Sequence, residues 1–170
     1  MNRRTALLAG GAMLAHVRAP RMAAEVGGST AARRVQAVPL DADVVRGFVR
    51  AAHADLAAVR AALDAQPRLA NACWDWGAGD FETALGAASH MGRRDIAEVL
   101  LAHGARADLF TMIVVRDVDL LRAQFVRHPA LVLTKGPHGL TFEAHAKATG
   151  DRDVELAVQG IVAEARAALK

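Results

Sequence analysis

Three positions recur at fixed spacing in two distant parts of the chain. In "TALGAASHMGRRDI" Thr83 is followed by Gly92 nine residues on and by Ile96 thirteen on; in "TFEAHAKATGDRDV" Thr141, Gly150 and Val154 keep the same intervals. A threonine that caps a helix, a glycine that ends it and an apolar residue that opens a second helix are the punctuation of a helix–turn–helix pair. Gly86, Ala87, Ala88 and Ser89 keep the first helix of the pair thin, so that neighbouring helices can approach it closely. The second helix, opening at Asp95, carries Ile96, Val99, Leu100 and His103 at i, i+3, i+4 and i+7, one face of an α-helix, and Gly104-Ala105 closes it. A pair this short cannot bury its stripe alone, so pairs must stack on one another.

Two further second helices follow the same grammar. "DLAAVRAALDAQPRL" and "DVDLLRAQFVRHPAL" align Leu56, Val59, Leu63, Pro67 and Leu69 with Val118, Leu121, Phe125, Pro129 and Leu131. With Leu56, Ile96, Val118 and Val154 as anchors the intervals are 40, 22 and 36, a mean of about 33, which is a helical-repeat period. The insertion "ACWDWGAGDF" lengthens the first interval, and a lost turn before "LFTMIVV" shortens the second. The expected fold is all-α, a stack of four helix pairs with second helices near 55–64, 95–103, 117–127 and 152–166. Composition agrees, since 53% of residues are hydrophobic but only 4% aromatic and none is tyrosine; an Ala, Leu and Val core suits close-packed helices. Glu155, Gln159, Glu164 and Arg166 suit a terminal capping helix with one face in water.

The stretch "TALGAASHMGRRDIAEVLLAHGA" resembles the ankyrin repeat, whose pattern includes T-P-L-H-x-A-A, a glycine, an apolar second helix ending in Leu-Leu, and Gly-Ala. Thr83, Leu85, Ala88, Gly92, Ile96, Val99, Leu100, Leu101, Gly104 and Ala105 keep the family register, whereas Ala84 and Gly86 stand where Pro and His are usual. Phe142 and Ala144 make the same departures, so the family's Thr–His turn bond is missing. The resemblance implies an ankyrin-repeat solenoid of about four partly degenerate pairs over 38–168. It also implies a bacterial-type module that binds a protein partner through its turn tips and concave first-helix face and catalyses nothing. By register the contact positions are Asp80, Glu82, His90 and Met91 in the second repeat, and His138, Leu140 and Thr149 in the fourth.

Both tryptophans, Trp74 and Trp76, lie in the insertion beside Asp75, Gly77, Gly79 and Asp80. They read either as exposed partner anchors or as rings folded under the loop. "KGPHG", Lys135 to Gly139, is a turn, and His138 reads as a turn residue. His90, His103, His128 and His145 fall singly, without H-x-x-x-H spacing on one helix, so neither a metal site nor any cofactor is expected. Cys73 reads as a small packing residue. No nucleophile motif or phosphate loop occurs. The alternative is a small enzyme whose composite site joins the Trp-Asp-Trp insertion to the KGPHG turn; against it, these stretches sit on different repeats with no motif linking them.

The first 31 residues stand apart as a leader. Arg3-Arg4, an apolar run from Ala6 to Ala15 and then small residues follow the order of a secretory signal, and the start resembles a twin-arginine export signal. Cleavage fits Ser29-Thr30-Ala31 or Ala23-Ala24. The expected location is periplasmic or secreted, or cytoplasmic if the leader is merely a tail. The apolar run of about ten residues is too short for a membrane span. Of 21 basic and 18 acidic side chains, four arginines and one glutamate precede residue 32, leaving 17 of each behind. A neutral body excludes a nucleic-acid binder, which needs a basic face. A monomer is expected. The lone Cys73 forms no internal disulfide.

Overall fold

The computed structural model describes residues 38–170; Arg3, Arg4 and the rest of the expected leader lie outside the described residues. The described chain is all-α apart from one small hairpin. Its α-helices are α1 (Ala42–Ala51), α2 (Leu56–Ala65), α3 (Ala84–His90), α4 (Arg94–Ala102), α5 (Leu109–Val114), α6 (Val118–Arg127), α7 (Phe142–Ala148) and α8 (Arg152–Ala167). None is long and apolar enough to cross a membrane.

Helices of six to ten residues are marginal by themselves, and local chemistry sets where they begin. Seven of the eight α-helices start at a side chain that accepts a backbone N–H: Asp41, Asp55, Thr83, Asp108, Asp117, Thr141 and Asp151. The exception is α4, which begins at Arg94 rather than at the expected Asp95; Asp95 lies in its first turn and is paired with Arg93 at 2.8 Å. Ile96, Val99 and Leu100 are buried as the stripe requires, while His103 ends the helix exposed.

Consecutive helices pack as pairs, α1 on α2, α3 on α4, α5 on α6 and α7 on α8, and the first helices meet in order, α1 on α3, α3 on α5 and α5 on α7. The core has two parts. Val49, Val59, Leu63, Leu85, Ile96 and Leu100 anchor the first, and Phe125, Phe142, Val158 and Ile161 the second. Helix α5 joins them: Val114 belongs to the first cluster, Phe110 and Ile113 to the second. A helix apolar on every side has to be enclosed.

The insertion expected between the first two pairs is a β-hairpin, an exception to the all-α expectation. Strand β1 (Cys73–Asp75) pairs antiparallel with β2 (Phe81–Thr83), with Trp74 opposite Glu82. The third pair keeps its first helix but shortens it to six residues, capped by Asp108 and Thr111 in reciprocal hydrogen bonds. Only residues 103–108 separate α4 from α5, against 66–83 before α3 and 128–141 before α7. No projecting loop therefore stands between the hairpin and the 128–141 segment, and α3 packs directly on α7 as well as on α5. The contact is close at Gly92, where a Cβ would lie 2.1 Å from the Ala148 carbonyl oxygen. On the hairpin side, Pro137 sits where a Cβ on Gly86 would meet it at 3.2 Å.

Candidate functional site

Side chains alternate along a strand, so Trp74 and Trp76 lie on one face of the hairpin with Glu82, while Cys73, Asp75 and Phe81 turn to water. The exposed Cys73 corrects its reading as a packing residue. Glu82 is 0% exposed. Trp76 Nε1 donates to its Oε2 at 2.7 Å, and His90 Nε2 stands 2.8 Å from its Oε1. Burial by itself would raise the Glu82 pKa. The hydrogen bonds from His90 and Trp76, with the nearby His53 and His90, outweigh that and hold the carboxyl below its ordinary value.

Two more imidazoles close on the same carboxylate. His53 follows α1, its Nδ1 3.1 Å from the Val49 carbonyl oxygen and its Nε2 3.5 Å from Glu82 Oε2. His138, in the KGPHG turn, has Nδ1 2.7 Å from Asp80 Oδ2 and Nε2 3.5 Å from Glu82 Oε1. Asp80 also accepts the His138 backbone N–H at 2.8 Å, and that bond is the largest cause of its lowered pKa. His138 itself holds a left-handed backbone, φ 57°, which costs a non-glycine residue of order 1 kcal/mol or more. The His90 ring is edge-on to both His53 and His138, at centroid distances of 5.0 and 5.2 Å. One potential ligand atom from each of His53, Glu82, His90 and His138 lies within 4.8 Å of the other three.

Behind the cluster, His145 is fully buried and stacked on Phe110 at 4.4 Å. Its Nδ1 faces the Thr141 carbonyl oxygen at 2.9 Å, while Nε2 has no partner. Burial pushes its pKa down. In front, a shallow depression is lined by Arg50, His53, Trp76 and His138.

The positions read as a partner surface thus divide. Asp80, Glu82, His90 and His138 converge on one polar cluster. Glu82 cannot meet a partner because nothing of it reaches the surface, and the His90 side chain is only 8% exposed. Trp76 is tied to Glu82, whereas Trp74 is half-buried with the Arg46 guanidinium over its ring at 5.8 Å. Met91, which ends α3, is 47% exposed. Thr149 ends α7 and hydrogen-bonds Ala146 and Asp151 locally, and Leu140 is half-buried.

The expectation of no metal site rested on spacing within single helices. The structure removes that basis, because the histidines come from different helix pairs. It also links the two stretches thought too remote for a composite site, through Asp80 and His138. His53 belongs to no motif in the sequence that marks it as a site residue. The alternation in Trp-Asp-Trp and Phe-Glu-Thr around Gly-Ala-Gly-Asp carried a hairpin signal that would have turned Glu82 inward beside the tryptophans.

Comparison with family models, with curated proteins and with solved structures gives no match for this chain.

Proposed function

We propose that the chain is an ankyrin-type repeat module of the bacterial kind, a monomer exported to the periplasm or beyond, which binds a protein partner. The observation that carries this reading is the equivalence of the second and fourth pairs. Thr83 and Thr141 both cap a first helix by accepting the N–H three residues on. Gly92 and Gly150 both end that helix region with φ near 65°, at 65° and 66°. Ile96 and Val154 are both buried on the second helix. Repeated pairs of this kind offer a side-by-side row of first helices, a surface suited to holding another protein by shape.

Among the named positions, Met91 is 47% exposed and Trp74 is half-exposed with no hydrogen bond into the polar cluster, which makes these two the anchors to test. Affinity capture from the envelope fraction of the native cell tests this. Trp74→Ala with Met91→Ala should cost at least about 2 kcal/mol of affinity, the loss typical of truncating an interfacial anchor, while Arg152→Ala on α8 should cost little. Equal losses in proteins of equal thermal midpoint would refute docking on the first-helix face.

The composite-site reading keeps one observation in its favour, the meeting of the Trp-Asp-Trp hairpin and the KGPHG turn at Asp80 and His138. The double variant leaves that meeting intact, so an activity that survives it would favour the second reading.

A further inference from the structure

We propose that His53, Glu82, His90 and His138 form a binding site for one divalent transition-metal ion, Zn²⁺ being the ion these donors fit best, and that the ion clasps three of the four helix pairs together. This goes beyond the interaction-module reading and does not depend on it.

The first argument is donor chemistry. Three imidazoles and one carboxylate suit Zn²⁺ and its first-row neighbours, whereas Ca²⁺ and Mg²⁺ require mostly oxygen. The buried Glu82 carboxylate would supply one negative charge toward the ion. The second argument is spacing. Tetrahedral ligands about 2.0–2.1 Å from zinc lie roughly 3.3 Å from one another. The carboxylate oxygens of Glu82 are 2.8, 3.5 and 3.5 Å from the Nε2 atoms of His90, His53 and His138. One ligand atom from each of the four lies within 4.8 Å of the others, so the side chains would have to close in by about an ångström to share one centre.

The third argument is the shell outside the four donors. A metal-binding imidazole keeps its far nitrogen on a carbonyl or carboxylate, which fixes the tautomer and aims the free lone pair at the ion. His53 has the Val49 carbonyl in that place and His138 has the Asp80 carboxylate. With Nδ1 carrying the proton in each, both Nε2 lone pairs face Glu82. Trp76 Nε1 fixes the carboxylate in turn. His90 alone shares a proton with Glu82 through Nε2; on metal binding that proton leaves Nε2, its tautomer carrying N–H at Nδ1 instead, and nitrogen and oxygen both turn to the ion. A chance gathering of surface histidines would not come with these three supports. The depression beside Arg50, His53, Trp76 and His138 supplies the way in from solvent.

The short third pair is compatible with the site. His53 belongs to the first pair, Glu82 and His90 to the second, and His138 to the turn that precedes the fourth. A full-length loop before α5 would stand between Asp80 and His138. An ion held by all four donors would fasten the 128–141 segment to the hairpin across that gap.

The test uses the full chain, stripped of metal with a chelator and titrated with Zn²⁺ by calorimetry and with Co²⁺ by visible absorption. We expect one equivalent of Zn²⁺, the intense visible bands of four-coordinate Co²⁺, and a thermal midpoint that rises with Zn²⁺. His53→Gln and His138→Gln, at the solvent-facing rim, should each weaken binding at least about tenfold. Asp80→Asn, which keeps one oxygen to accept the His138 backbone N–H but removes the carboxylate behind the His138 ring, should weaken it about 10–100-fold. His128→Gln, remote from the cluster, should change nothing. Glu82→Gln would be informative only if it folds, so the rim variants decide. A folded wild type that binds no Zn²⁺, or binding that survives His53→Gln with His138→Gln, would overturn the proposal.

Discussion

Gly92 and Gly150 offer a paired experiment on the close approach of α3 and α7. Both hold the left-handed backbone, at φ 65° and 66°, so alanine at either pays the same conformational cost, about 1–2 kcal/mol. Their surroundings differ. A Cβ on Gly150 would have nothing within 4 Å, whereas one on Gly92 would lie 2.1 Å from the Ala148 carbonyl oxygen and 2.6 Å from its carbonyl carbon. Those are backbone atoms of another helix and cannot swing aside. Forcing the helices apart adds about 1–3 kcal/mol of overpacking, which brings Gly92→Ala to roughly 2–5 kcal/mol against about 1–2 kcal/mol for Gly150→Ala. Urea unfolding followed by circular dichroism would read both as shifts of midpoint at constant slope. Failure of Gly92→Ala to fold while Gly150→Ala folds would carry the same meaning. Equal costs would refute the direct packing of the second pair on the fourth, and with it the account of how His138 reaches Glu82.

Three further outcomes are expected. Leu100→Ala, at a fully buried position, should cost about 2–5 kcal/mol, and an unchanged thermal midpoint would mean that the α4 stripe faces solvent. His145 is buried among Phe110, the Thr141 carbonyl and the more distant His90 and Asp108, with its pKa held below the ordinary 6.5. The unfolded chain therefore takes up a proton that the folded chain refuses: the contribution of His145 to stability is full above pH about 6.5 and is lost progressively below it. His145→Gln should flatten that acid limb, and an unchanged limb would assign it to other groups. Near the N-terminus, Arg3→Lys with Arg4→Lys keeps the charge but removes the guanidinium pair. Precursor should then accumulate in the cytoplasm if the twin-arginine route is used, and normal export of the double variant would exclude that route.

The elements legible in the residues are those set by neighbours in the chain. Thr83, Thr141 and five aspartates open helices because a side-chain oxygen reaches an N–H two or three residues on. Gly92 and Gly150 end them, and Ile96, Val99 and Leu100 mark the buried side of α4. Each of these interactions spans at most one or two turns, so spacing alone reveals it. The second helices accordingly lie at 56–65, 94–102, 118–127 and 152–167, within a residue of where the periodicity put them. Asp80, Glu82, His90 and His138 were also legible as positions of interest, but as outward contacts. Their convergence was not, because it depends on a distance that no local pattern encodes. His53 and Glu82 are 29 residues apart in the chain and Glu82 and His138 are 56 apart. What brings them together is the six-residue α5 and the short 103–108 link, which let α3 pack on α7 and the hairpin meet the KGPHG turn. The missing loop was visible in the 22-residue interval as a defect of the repeat. Only the packed helices turn that defect into the space where four polar side chains meet.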